Sequence, residues 1–363
     1  MASDCCGPLP WADEGRNRMD ILVTGAAGLI GGEACARLAG RGHRVTALVR
    51  SNREVLANDG SPAAVAGVVA GDVTQARLGL GEADWQRLIE GTDLVIHCAA
   101  LTRFDADRET YRATNIEGTA RVIELVREAE AALLQVSTAY VCGERSGPVR
   151  EDDPLPNDGF TNGYEESKAA AERLVRHSGV PFAVARPSIV VGESGTGAIR
   201  QFDTIYAAFK LIAEGRVRRM PVRAGATLDF VPLDHVAGGI VALAERMEAA
   251  AGGTYHLVSG GPVPVELFAQ AIGAFEGFAQ PRLVDADAFA PATLPPMERR
   301  LFRRVAGLYA AYFQRSPRFD DARFRALTGL KAPPMDAEML HRLIRYCIDA
   351  GFLDPGKAQR MSG

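Results

Sequence analysis

The segment Asp20–Leu38 constrains the fold more than any other stretch of the chain. A short apolar run, Asp20–Thr24 (DILVT), is followed at once by Gly25, Gly28 and Gly31, and helical signal opens at Glu33–Leu38 and stops at Gly40 and Gly42. An apolar run ending on a glycine turn reads as a buried strand. Glycines let the backbone turn tightly and approach a bulky anion, and the helix N-terminus behind them offers unpaired N–H groups and the positive end of a dipole. A glycine pattern alone is weak, because turn glycines are common. Set between a strand and a helix, this one predicts a pyrophosphate cradle for a dinucleotide.

The alternation continues downstream. Arg44–Val49, Val65–Ala70, Leu94–Cys98, Leu133–Ser137 and Phe182–Arg186 read as five further strands, with helical patterns between them, notably Ala113–Ala131. Strands alternating with helices imply right-handed crossovers and a parallel sheet covered on both faces. The expected fold class is therefore α/β, a doubly wound parallel sheet of Rossmann type. Beyond Pro187 the rhythm loosens into shorter elements, including a strand at Thr254–Val258, and from Pro291 the signal is helical and Arg-rich. The expected organisation is a flexible tail at 1–18 and a dinucleotide-binding domain at 19–190 with strand returns to about 260. A smaller substrate-binding part at 191–363, mostly helical at its end, completes it.

The second strand tests which dinucleotide is bound. A carboxylate at its end would hold a ribose 2′-hydroxyl. This strand ends Val49-Arg50-Ser51-Asn52-Arg53 instead, with no acid in place. Arg50 lies about twenty residues past Gly31, where an arginine accommodates a 2′-phosphate, and Arg53 stands beside it. NADP(H) is favoured over NAD. Asp72, closing the third strand, has two readings of equal standing, an acceptor for the adenine amino group or a cap for the next turn.

Tyr164 and Lys168 sit four residues apart on a helical pattern running through His177, so they share a face. A free phenol, with a pKa of about 10, is a poor proton donor near neutrality, and an ammonium beside it favours the phenolate. The pair follows a strand ending in Ser137 and Thr138, and ligands bind outside the carboxyl ends of parallel strands. Thr138 is then placed to hydrogen-bond a substrate carbonyl while Tyr164 delivers a proton.

Seven motifs in order, TGAAGLIG, GDV, HCAA, TNIEGT, VSTAYV, YEESK and RPSIVVG, make the chain from about Met19 to Leu257 resemble the extended short-chain dehydrogenase/reductase superfamily. The resemblance implies Thr138 as hydroxyl partner, Tyr164 as acid/base and Lys168 as its activator and ribose ligand. It implies cofactor contacts from Gly25, Ala27, Gly28, Leu29, Ile30 and Gly31, from Arg50, Arg53, Asp72 and Val73, and from Ala99, Ala100, Asn115 and Pro187. Thr102, Phe104, Tyr140 and Ser188 are the implied substrate contacts. VSTAYVCG, the spacer before YEESK and RPSIVVGESGTGAI look closer to the acyl-thioester and fatty acyl reductase branch than to sugar-nucleotide epimerases. That branch implies reduction of a carbonyl or acyl thioester with a lipophilic tail, carrier-bound or on CoA. An NAD-dependent epimerase or dehydratase, a hydroxysteroid-type dehydrogenase and a non-catalytic NADP-sensing protein stand as alternatives. The superfamily also suggests a homodimer through helices.

Leu301, Phe302, Val305, Leu308, Tyr309, Tyr312 and Phe313 form an apolar helical stripe beside Arg299, Arg300, Arg303 and Arg304. It reads as a helix packed on the domain, a lid over an acyl channel, or a helix lying on a membrane surface. Asp234 is expected to cap a helix. A net charge of -4 gives no reason to expect nucleic acid. No apolar run approaches the ~20 residues of a membrane span. The six cysteines lack Cys-x-x-Cys spacing, so no metal site is expected and reduced thiols in a cytoplasmic protein are the reading.

Overall fold

The structure, a computed structural model, describes residues 18–203, 205–303 and 307–356, without the side chains of 307 and 308. The expected tail apart from Arg18 lies outside these residues, as do Arg304, Val305 and the Leu308 side chain of the C-terminal stripe. Seven strands, β1 (Asp20–Thr24), β2 (Arg44–Val49), β3 (Gly67–Ala70), β4 (Leu94–His97), β5 (Ala132–Val136), β6 (Phe182–Pro187) and β7 (Thr254–Leu257), form one sheet. Their order is β3-β2-β1-β4-β5-β6-β7, and every pairing is parallel. The central strands β4 and β5 bury every residue, as parallel strands covered on both faces do. That burial is why they read as continuous apolar runs.

The helices covering the sheet are α1 (Leu29–Gly40), α2 (Glu82–Gly91), α3 (Gly118–Glu128), α4 (Gly163–Arg176) and α5 (Leu233–Glu245). On one face Ala34 and Leu38 of α1 and Val236 and Ile240 of α5 pack on strand residues such as Val23 and Ile96. On the other, Trp85 and Leu88 of α2, Val122 and Leu125 of α3 and Val175 of α4 pack on Leu22, Val95 and Leu133. The sheet is doubly wound. A third cluster joins Tyr206 and Phe209, Phe268 and Ile272, Leu340 and Leu343, and the stripe residues Tyr309, Tyr312 and Phe313. Phe302 is buried as well. The described part of the stripe therefore turns inward onto the protein's own core, which removes the membrane-surface reading of that face.

Strand ends shift by one residue at β4, β5 and β7, β3 starts at Gly67 rather than Val65, and two helix starts differ from expectation. Helix α1 starts at Leu29 rather than Glu33, because Gly31 and Gly32 weaken the helical pattern of its first turn. The helix expected at Ala113–Ala131 begins at Arg108 and winds wider, as a π-type turn, over Arg112–Glu117 before α3. Asp234 does not cap α5; its carboxylate accepts from the Ser194 N–H at 2.9 Å and the Ser194 hydroxyl at 2.6 Å.

Glu151, buried in a loop, fastens two distant segments to that loop. Its carboxylate accepts from the N–H groups of His256 in β7 (2.9 Å), Arg323 (2.7 Å) and Phe324 (3.1 Å). Removing an acceptor that serves several buried donors leaves each with its desolvation cost. Glu151→Ala should lower unfolding stability by about 2–4 kcal/mol in urea titrations, and a loss below about 0.5 kcal/mol would show that water replaces the carboxylate.

Candidate active site

The strand order reverses between β1 and β4, and the carboxyl ends of the strands on either side open into one cavity of about 730 Å³. A ligand crevice at such a switch point is the general rule for open α/β sheets. The glycine turn forms one wall. Gly25 has φ +67°, and a Cβ there would stand 2.6 Å from the Ala99 nitrogen. At Gly31 a Cβ would stand 2.3 Å from the Gly25 carbonyl oxygen. Neither position admits a side chain. Helix α1 has no side-chain cap and no acid in its first turn, so its N–H groups and dipole meet the cavity unopposed. The cradle fits a dinucleotide pyrophosphate.

Most of the expected residues line this cavity. Gly25, Ala27, Gly28, Leu29, Ile30, Gly31, Arg50, Asp72, Val73, Ala99, Ala100 and Pro187 do, and so do Thr102, Phe104, Thr138, Tyr140, Tyr164 and Ser188. Arg53 is exposed and outside the lining. Asp72 spends one oxygen on its own turn, accepting from the Thr74 N–H (2.9 Å) and hydroxyl (2.8 Å). Asn115 corrects its expected role. It is buried behind the wall, taking the Leu101 N–H at 2.7 Å and donating to the Leu101 carbonyl (3.1 Å) and the Ser167 hydroxyl (2.8 Å). It clamps the loop after β4 to α4 without reaching the cavity surface.

A relay of hydroxyls runs beneath the floor. The Ala99 N–H donates to Thr24 Oγ1 (3.2 Å), which lies 2.7 Å from His97 Nδ1; His97 Nε2 lies 3.2 Å from Thr119 Oγ1, whose proton goes to the Asn115 carbonyl at 2.7 Å. One proton per hydroxyl assigns Nε2 as the protonated ring nitrogen. Burial drives the His97 imidazolium down to about 3, with the Lys168 charge adding to the effect. His97 is thus a neutral structural link between β1, β4 and α3.

Tyr164 opens α4 half-buried at the cavity wall. Asn162 caps the helix by accepting from the Glu165 N–H at 2.9 Å, which sets the direction in which Tyr164 leaves it. Burial pushes the phenol above its ordinary value, and a hydrogen bond with Thr138 offsets part of the rise. This departs from the expectation that Lys168 lowers the phenol. Lys168 is buried and donates to the Val136 carbonyl at 2.7 Å. Its own ammonium is pushed down to about 8 by burial, with Glu172 opposing. Cys98 also lines the cavity, but burial pushes its thiol up to about 12, so it holds its proton and is a poor nucleophile.

The far side of the cavity is aromatic. Phe104 stacks on Tyr312 (centroids 5.7 Å, 4° between planes) and meets Tyr164 at 5.7 Å and Tyr309 at 5.3 Å. Arg315, which sequence reasoning missed, lies behind these rings. Its guanidinium pairs with Glu165 (Nη2 to Oε1, 2.6 Å), donates to the Gly143 carbonyl at 2.6 Å and lies 4.7 and 4.6 Å from the Tyr140 and Tyr312 centroids. Both members of the pair are buried. No local pattern signals an ion pair across 150 residues.

Comparison with known proteins agrees with this geometry. Residues 23–240 match the NAD-binding family described as male sterility protein. The aldehyde reductase lnaA of Aspergillus flavus is 24% identical over 77% of this chain and 30% of its own length. A carboxylic acid reductase of Segniliparus rugosus is 28% identical over 61% of this chain and 23% of its own. The chain thus spans less than a third of these relatives. The crystal structure of the terminal R domain from the myxalamid PKS-NRPS biosynthetic pathway superposes with a TM-score of 0.79 at 29% identity, over 93% of this chain and 92% of that one. With the family matched across more than half its length, the chain belongs to the male sterility protein family, the thioester reductase-like branch of the extended short-chain dehydrogenases/reductases and a family of NAD(P)-dependent oxidoreductases.

Proposed function

We propose that the chain is an NADP(H)-dependent reductase of a carbonyl or acyl thioester carrying a lipophilic tail. One observation carries this reading: a single cavity holds the glycine cradle and Arg50 on one side, Thr138 and Tyr164 between, and an aromatic chamber on the other. One solved structure spanning nearly the whole chain is a terminal R domain of a PKS-NRPS pathway, which supports a thioester delivered by a carrier protein.

NADPH, when bound, supplies a hydride to the substrate carbon. The chain's residues hold the oxygen and the proton. Thr138 and Tyr164 both face the cavity and converge on the carbonyl oxygen. Burial keeps Tyr164 as the neutral phenol, the form that reduction consumes, and the phenol passes its proton to the oxygen as negative charge develops there. Lys168 stands in the same helix face as the countercharge to the phenolate left behind. For a thioester, one hydride and one proton yield a hemithioacetal, which breaks down to aldehyde and free thiol. The protonated Cys98 supports direct hydride transfer over an acyl-enzyme route. Arg50, exposed at the cavity rim, takes the 2′-phosphate.

Tyr164→Phe should cut kcat by about 10²–10⁴-fold with the NADPH Kd unchanged by fluorescence titration; full turnover would remove Tyr164 as proton donor. Lys168 carries its charge below its lowered pKa and loses it as pH rises through about 8. The kcat/KM profile, which reports the free enzyme, should therefore fall above pH 8, and Lys168→Met should abolish that limb. Arg50→Ala should reduce kcat/KM with NADPH by about 10–100-fold and leave NADH nearly unaffected. A wild-type enzyme that turns over NADH and not NADPH would overturn the cofactor assignment. Tyr309 separates the main cavity from a small apolar pocket that also touches Phe302 and Met220. Replacing Phe302 and Tyr309 with Ala should extend the preferred acyl chain in a series of aldehydes, and an unaltered chain-length profile would show that the tail runs elsewhere.

A further inference from the structure

Arg200 sits beside the glycine turn with an incomplete set of partners. Nη2 donates to the Gly28 carbonyl oxygen at 3.3 Å, and Nε is buried with no partner among the described residues. A guanidinium carries five donors in a planar fork suited to oxyanions, so one long bond to a neutral carbonyl leaves most of its capacity unused. Among the described residues it makes no ion pair within 4 Å. The acid that feels it is Asp203, whose carboxyl is raised by burial and drawn partly back by the Arg200 charge.

Its position is nonetheless held firmly. The Arg200 N–H donates to Asn58 Oδ1 at 2.9 Å. Asn58 is buried and donates through Nδ2 to Glu193 Oε1 (3.1 Å) and the Ala198 carbonyl (3.0 Å). Its own N–H reaches Glu33 Oε2 of α1 at 2.8 Å. The loop's other end is fixed by the Ser194–Asp234 bonds. The fold thus locks this loop onto the helix that follows the phosphate turn, and the result is a cation with spare donors at the turn's own carbonyl. Holding it there costs desolvation of Nε, which an oxyanion at the turn would offset.

We propose that Arg200 is a second pyrophosphate ligand, closing on the cofactor's diphosphate from the 193–201 loop while the N-terminus of α1 holds it from the turn. This rests on the dinucleotide reading above and adds a residue outside the family motifs. Arg200 itself stands outside the cavity lining, but its neighbours Ile199, Gln201 and Asp203 line it, so a turn of the guanidinium away from the Gly28 carbonyl would bring the proposed diphosphate ligand to the edge of the substrate-side wall.

The test is equilibrium binding to the full chain, with ligands that separate the phosphates. ADP-ribose 2′-phosphate carries the diphosphate and the 2′-phosphate; ADP-ribose carries only the diphosphate; adenosine 2′-phosphate carries only the other. Arg200→Met should weaken both diphosphate ligands by about 10–100-fold and leave adenosine 2′-phosphate within about twofold. Arg200→Lys, which keeps the charge and loses the fork, should fall between. Arg50→Ala should show the complementary pattern, weakening the two 2′-phosphate ligands and sparing ADP-ribose. Thermal melts of each variant check that the fold is retained. Equal losses across all three ligands in Arg200→Met, or no loss in any, would overturn the assignment. If the wild-type chain bound none of the three, the dinucleotide reading itself would fail and Arg200 with it. A chain that bound only ADP-ribose would lose the 2′-phosphate reading, while the Arg200 comparison still decided its own case.

Discussion

At the carboxyl end of β1 the backbone packs against backbone with no side chain between. Gly31 approaches the Gly25 carbonyl so closely that a Cβ would lie 2.3 Å from it, and Gly32 meets the Leu56 carbonyl at the same distance. Gly25 in turn presses on Ala99 at the end of β4. These contacts bring α1 down onto the switch point of the sheet, and they are the reason a helix N-terminus opens directly into the cavity. They carry a conformational cost, since glycine weakens a helix interior by about 0.5–1 kcal/mol relative to alanine. The cost falls in the one turn of α1 where a side chain would strike the Gly25 and Leu56 backbone.

Helix α4, which carries Tyr164, is held by a different kind of interaction. Along α4, Glu165, Lys168 and Glu172 fall at spacings that share one face, and all three are buried. Each has a partner from elsewhere: Arg315 for Glu165, the Val136 carbonyl for Lys168, and a bidentate Arg186 for Glu172 at 3.0 and 2.8 Å. Ser167 adds the bond to Asn115. An apolar face would pack as well, but it would leave the helix free to slide or rotate by a fraction of a turn. Directional polar contacts at successive turns fix its register against β5, and with it the distance between Tyr164 and Thr138.

Much of this was legible in the sequence, for identifiable reasons. Strands buried on both faces write themselves as unbroken apolar runs, so β1, β2 and β6 were read to within a residue. The glycine turn and Tyr164 were legible as cavity residues, because each sits next to the strand that carries it to the cavity. Asn115 was read as a cofactor neighbour although its amide is consumed by Leu101 and Ser167, since a motif records that a residue matters without recording what it touches. Arg315 and Arg200 left no local trace. Their partners are far away in the chain, and an exposed arginine and a buried one look alike in a sequence.

The buried Glu165–Arg315 pair shows what the C-terminal segment contributes. Two charges taken from water cost several kcal/mol each, and their attraction alone seldom recovers it. Here the recovery is shared: the guanidinium also donates to the Gly143 carbonyl and lies against the faces of Tyr140 and Tyr312, contacts that strengthen where water is excluded. An apolar replacement of similar size would serve stability equally well. It would not bind the aromatic wall to the first turn of α4, one residue from Tyr164. The aromatic wall and the first turn of α4 are therefore joined by this pair. On the proposed mechanism, the C-terminal segment would thereby help to set how a substrate carbonyl meets Tyr164.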